Sequence, residues 1–192
     1  MESRNEAQGS NPFLLSVNVP DGAFTYFPLI RFDLSSLAGQ TVTGDGTFSI
    51  FPTFTDPATR TVSLVNPPEA FNEATTTFNN YNPTADENDR IGTDIIPGTT
   101  KTFSTPASEY LNFTLPQALL QSWIDSPASN LGLGVYQAPA PSNDVNFASR
   151  ENADASKRPL LSFDAVPEPT SAVLLGAALL VTACRRLRRH AV

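Results

Sequence analysis

The sequence predicts an all-β domain with one short helix, followed by a C-terminal hydrophobic helix. Three observations carry this expectation. Short apolar–polar alternations recur along the chain and are cut by turn-forming residues, with 17 Pro and 10 Gly among 192 residues. Only one segment ahead of residue 166 carries helical periodicity. An uncharged apolar run then closes the chain, directly before a cluster of arginines.

The elements follow in order. Phe27–Leu34 (FPLIRFDL) places Ile30, Phe32 and Leu34 on one face and Leu29, Arg31 and Asp33 on the other, the period of a half-buried strand. Thr47–Phe51 turns Phe48 and Ile50 inward, and Thr61–Val65 does so with Val62 and Leu64. Tyr110–Leu115 points Leu111, Phe113 and Leu115 one way; Leu131–Tyr136 and Pro159–Ala165 complete the strands. In PQALLQSWID, Pro116 suits a first helical position, and Leu119, Leu120 and Trp123 recur at three- and four-residue spacing. That helix offers one apolar face, suited to close an end of the sheets with the only Trp. Asn79–Lys101 and Gln137–Val145 read as loops.

Charge and composition limit the chemistry. Residues 1–166 hold 18 acidic and 8 basic side chains, whereas 167–192 hold one Glu and four Arg. An acidic domain lacks the basic stripe that nucleic acid requires, so no nucleic-acid partner is expected. The only Cys, Cys184, and the only His, His190, both fall in the tail. The domain therefore has no disulfide, thiol nucleophile or imidazole, which excludes Cys–His and Ser–His–Asp catalysis and most zinc and copper sites. Glu73 would need a second carboxylate about 5–10 Å away for glycoside hydrolysis, and the sequence nominates none. A non-enzymatic protein without a cofactor is expected. Asp86, Glu87 and Asp89 in ADENDR are hard oxygen ligands of the kind calcium takes, but they lack EF-hand spacing, and a solvated charge run is the favoured reading.

Four segments together resemble the DNRLRE domain family: Pro28–Thr43, Phe71–Asn80, Ala118–Tyr136 and Asn146–Ala165. The resemblance spans residues 12–165 and implies a carbohydrate-binding-type jelly-roll β-sandwich of a secreted bacterial protein, with polysaccharide as the expected partner. Two departures stand out. Phe71 and Phe78 occupy positions where the family has Trp, and the family's first strand is expected to be short or missing. The residues the resemblance singles out as ligand contacts or fold signatures are Arg31, Asp33, Glu73, Trp123, Arg150 and Glu151. Arg31 and Asp33 share a strand face, where an ion pair beside the core is favoured over a sugar contact. Arg150 and Glu151 are adjacent and are expected on opposite faces of a strand, bonded to loops. Tyr26, Tyr81, Tyr110 and Tyr136, or Phe71 and Phe78, are candidates for a stacking platform, with core packing the commoner use of each.

The tail carries a second resemblance. Val166, Pro167, Glu168, Pro169 and Thr170 (VPEPT) precede the apolar run 171–184, and Arg185, Arg186, Arg188 and Arg189 follow. Fourteen helical residues span about 21 Å, short of the roughly 30 Å of a bilayer core. Motif, apolar run and Arg cluster at the chain end resemble the PEP-CTERM sorting signal of residues 166–192. This implies recognition by an exosortase-type membrane protease and transient residence in the inner membrane through one helix. The arginines stay on the cytoplasmic side and the domain on the other, with release to the cell surface or the extracellular matrix. The polar residues 1–11 contain no secretory h-region, so a start assigned too far downstream is expected. Two roles compete: an exported protein that binds exopolysaccharide, and a structural surface coat assembling through protein–protein contacts.

Overall fold

The computed structural model describes residues 7, 9–18, 25–53, 57–86, 89–137 and 145–167. Glu168, Pro169, Thr170, the apolar run 171–184 and the arginines after it lie outside the described residues, as do Glu87, residues 138–144 and residues 1–6. Among the described residues no helix is long and apolar enough to cross a membrane.

The described residues are mostly β-sheet with one short α-helix. The strands are β1 (Phe13–Asn18), β2 (Thr25–Tyr26), β3 (Leu29–Ile30), β4 (Gln40–Val42), β5 (Gly46–Ile50), β6 (Ala58–Val65), β7 (Lys101–Thr105), β8 (Leu111–Leu115), β9 (Leu133–Gln137), β10 (Val145–Ala148), β11 (Leu160–Ser162) and β12 (Ala165–Pro167). The helix α1 spans Gln117–Asp125, between β8 and β9. The strands pair in the orders β10-β1-β2, β11-β5-β8, β12-β4 and β3-β9-β6-β7, always antiparallel.

Alternation in the sequence explains the core. Phe48 and Ile50 of β5, Phe113 and Leu115 of β8, Leu64 of β6 and Leu133 and Val135 of β9 are all fully buried in one cluster. The β5–β8 register sets Phe48 opposite Phe113, and their rings stack at 6.1 Å. Leu120, Trp123 and Ile124 of α1 enter the same cluster, so the helix closes the core as its apolar spacing implies. The helix starts one residue later than expected. Pro116 is extended (φ −59°, ψ 138°), and the first helical N–H, that of Gln117, is capped from a distance by Asp45 Oδ1 at 2.9 Å.

β6 departs from simple alternation. Ser63 and Val65 are buried along with Val62 and Leu64, and Ile91 lies on that face against Gly134 and Val65. Ile96 N–H donates to Leu64 O at 2.9 Å, and the buried Thr99 hydroxyl accepts from Leu64 N–H at 3.1 Å and donates to Ile96 O at 2.7 Å. Gly134, paired with Val65, makes the close approach possible. A Cβ there would lie 2.6 Å from Ile91 Cγ1 and 2.8 Å from Val65 Cγ2.

The predicted strand Phe27–Leu34 survives as a ladder only at Leu29–Ile30. Opposite it, Gly132 takes φ +88° and packs its Cα against Ile30 O, and the Phe32 carbonyl accepts from the Asn130 side chain at 2.8 Å instead of from a strand. The alternation persists as burial without a ladder: Arg31 and Asp33 are exposed, while Ile30, Phe32 and Leu34 pack on the core. The expectation of a shortened first strand meets a six-residue strand in β1, paired to β10 and β2. β2, β4, β7, β10 and β12 are short strands that the sequence alternation does not predict.

β4 is held from both edges. Val166 and Pro167 of β12 pair with Thr41 and Gln40 on one side. On the other, the Gln121 side-chain amide takes the place of a peptide, accepting from Val42 N–H at 2.7 Å and donating to Gln40 O at 3.1 Å. Gln117 Nε2 donates to Val42 O at 2.6 Å. Replacing Gln121 by Leu strands the N–H of the fully buried Val42 and should lower stability by roughly 1–3 kcal/mol in urea unfolding. A change within about 0.3 kcal/mol would show that the clamp carries no weight.

Candidate functional site

Five of the six residues singled out in the sequence come together around two adjoining cavities of about 590 and 620 Å³. Arg31, Glu73 and Arg150 line both, and Asp33 and Trp123 line the second. Glu151 joins through Arg150. Volumes of this size suit a small ligand or a short stretch of a polymer.

Each wall has a local cause. Arg31 follows β3 directly. The segment FNEATTTFNN folds into consecutive turns: Asn72 O accepts from Thr76 N–H at 2.8 Å, Asn72 Oδ1 from Ala74 N–H at 2.9 Å, and Asn80 Oδ1 from Thr77 N–H at 2.7 Å. Glu73 is thereby carried on a tight turn. Gly9 packs against the Glu73 backbone so closely that a Cβ would overlap Glu73 O, which ties the N-terminal approach to β1 onto this wall. The third wall is the turn after β10, where Asn152 N–H donates to Ser149 O at 3.2 Å.

That turn reverses one expectation. Arg150 and Glu151 do not sit on opposite faces of a strand. They are in a turn, on the same side, with Arg150 Nε 2.8 Å from Glu151 Oε1. Arg150 Nη2 also meets Glu73 Oε2 at 2.7 Å, so one guanidinium sits between two carboxylates. The side chains involved are 42–67% exposed, and an ion pair so exposed adds at most about 1 kcal/mol.

The expected Arg31–Asp33 ion pair is absent as well. Asp33 Oδ1 accepts from Ser35 N–H at 3.0 Å and opens the single turn Ser35–Leu37. Hydrogen bonds from the Ser35 side chain and backbone hold the Asp33 carboxyl below its ordinary range, with a smaller contribution from Arg31. Arg31 instead lays its guanidinium over the Phe71 ring, 5.4 Å from the centroid, and has no carboxylate within 4 Å among the described residues.

The aromatic candidates separate by place. Phe71, Phe78, Tyr81 and Tyr26 line the first cavity, joined by Phe13 and Phe27, which the sequence reading did not single out. Tyr81 is 2% exposed and donates its hydroxyl to Glu69 O at 3.0 Å. Tyr110 is elsewhere, its hydroxyl shared between Ser156 O and Arg158 O at 2.7 and 2.9 Å. Tyr136 belongs to β9 and lines neither cavity. Asp86 and Asp89 are exposed and lie away from both cavities, and the described residues contain no group of three or more His, Cys, Asp or Glu side chains able to hold a metal. No family model matches the chain, and no curated protein matches it.

Burial pushes the Tyr81 phenol up to about 12 from its ordinary value of 10. The folded state therefore keeps this proton longer than the unfolded chain. The stability it contributes is complete below pH 10 and is lost as pH rises towards 12. Urea midpoints should fall across that window, and Tyr81→Phe should make the fall shallower. An identical pH profile for the variant would contradict the assignment.

Proposed function

We propose that this chain is an exported, non-enzymatic protein whose jelly-roll-type β-sandwich binds a polysaccharide of the extracellular matrix in the groove between Arg31, Glu73 and Arg150. Its C-terminal segment 166–192 acts as a PEP-CTERM sorting signal. In this reading an exosortase-type membrane protease takes the VPEPT motif while the apolar run, as a helix, pauses in the inner membrane, and the domain reaches the cell surface or the matrix. The single observation that supports polysaccharide binding is the convergence of residues from four separated segments on one aromatic-lined groove with a polar rim. Sugar polymers ask for that combination: apolar C–H faces meet rings, and hydroxyls meet planar donors and acceptors.

A second reading, a structural coat, has its own support. Leu160 is 52% exposed on β11, the terminal strand of its sheet, and Val166 is 47% exposed on β12. Apolar side chains on a sheet edge suit addition of a strand from another chain.

The test uses the full 192-residue chain in nonionic detergent, with affinity electrophoresis through gels containing dextran, xyloglucan, galactomannan, hydroxyethylcellulose or the producing cell's own exopolysaccharide. Saturable retardation by at least one polymer is expected, without a calcium requirement. Unchanged mobility in every gel, together with concentration-dependent self-association, would transfer the function to the coat. For the tail, mass spectrometry after co-expression with an exosortase should find the chain shortened near Pro167–Pro169. A full-length mass would remove the sorting assignment.

A further inference from the structure

We propose that Phe13 is the stacking platform of the groove, and that the ligand offers it a pyranose ring with a bare C–H face. This rests on the polysaccharide reading above. The inference comes from asking which ring faces are open. Phe71 is 8% exposed and lies under the Arg31 guanidinium. Phe78 has the Arg90 guanidinium 4.8 Å from its centroid and Phe27 at 5.7 Å. Phe27 is held between Phe78 and Tyr81, the latter 6.0 Å away. Phe32 turns its ring edge-to-face with Phe48 in the core, at 6.1 Å. Of the rings that the sequence nominates, Phe71 and Phe78 are thus spent on packing, and Tyr81 is buried.

Phe13 is different. It lines the same cavity, is 46% exposed, and has no ring or cation contact among the described residues. An exposed Phe alone would mean little. This one is fixed in place. Its backbone pairs with Ala148 in the β1–β10 ladder, and its N–H donates to Asn11 Oδ1 at 3.0 Å. On the N-terminal side, Pro12 O accepts from Ser149 N–H at 3.1 Å, and Asn11 O accepts from the Ser149 hydroxyl at 2.6 Å. A ring held at a groove wall by bonds on both sides costs little ordering when a ligand arrives.

The negative face of the ring attracts the polarised C–H groups of a sugar. Arg31 supplies the other half of the recognition. It lines the same cavity, and with no carboxylate partner among the described residues its guanidinium donors are available to ring hydroxyls. A saturated ring that carries hydroxyls around its edge matches the phenyl face and those donors together, so the pair points to a carbohydrate.

The same gels test this with the full chain and the polymer that retards it most. Phe13→Ala should weaken retention about tenfold, while Phe13→Trp keeps or strengthens it. Because the side chain is half in solvent, both variants should melt within a few degrees of the parent, which separates lost binding from lost folding. Unchanged retention of Phe13→Ala would overturn the platform and leave the polysaccharide reading standing. Failure of the parent chain to be retarded by any polymer would overturn both. Retention of an apolar peptide on the parent but not on Phe13→Ala, with no polysaccharide retarded, would assign the groove to a protein partner and likewise overturn the proposal.

Discussion

The outer face of the β3-β9-β6-β7 sheet needs a cover at Val65 and Gly134, and the connection after β6, residues 66–100, supplies it through Ile91 while it bonds along the edge of β6 at Leu64. A connection of that length without a named strand stays folded only if its polar backbone and its apolar side chains find partners. The sheet supplies both. Leu64 offers its N–H and its carbonyl to Thr99 and Ile96, and the bare Cα of Gly134 leaves room for Ile91 against Val65. The exchange is mutual, because without the cover Val65 and Ser63 would face water. Inside the connection, polar side chains do the work of strands. Tyr81 bonds to Glu69 O, Arg90 Nη1 to Phe78 O at 2.6 Å, and the turns at Asn72 and Asn80 close on themselves.

The groove is the edge of this cover. Its walls belong to segments far apart in sequence: the exit of β3, the turn that carries Glu73, the approach to β1 and the turn after β10. The Arg150–Glu73 pair is exposed and worth little by itself, so the geometry is set by backbone fixtures. Gly9 against Glu73, Ser149 on Asn11 and Pro12, and Asn152 Nδ2 on Pro12 O at 3.3 Å are those fixtures. A surface assembled this way is open and yet preorganised.

Much of the core was legible in the sequence. Period-two spacing identified β5, β6 and β8 and the inward residues Phe48, Ile50, Val62, Leu64, Leu111, Phe113 and Leu115, because those strands each face one shared core. The failures share a cause: information held by the partner and not by the segment. FPLIRFDL alternates as a strand should, but Gly132 and Asn130 opposite it end the ladder at Ile30. Arg150 and Glu151 look like neighbours on a strand until Ser149 and Asn152 turn the chain. Gln121 reads as the polar side of a helix, and its service as a surrogate peptide for β4 exists only once β4 is beside it. For the site, Arg31, Asp33, Glu73, Trp123 and Arg150 line the adjoining cavities, which brings together residues that lie far apart in the sequence. Which ring stays open was hidden, since openness is decided by what covers each face.

Amide hydrogen exchange of the full chain, with and without a saturating polysaccharide, tests the central claim most directly. The claim is that one groove, built from separated segments, is the binding surface. Binding there predicts slowed exchange in peptides covering residues 11–16, 29–34, 71–78 and 149–152 together, with β11 and β12 unchanged. Protection centred on Leu160–Pro167, or none in the four segments, would contradict it and move the function to the sheet edge.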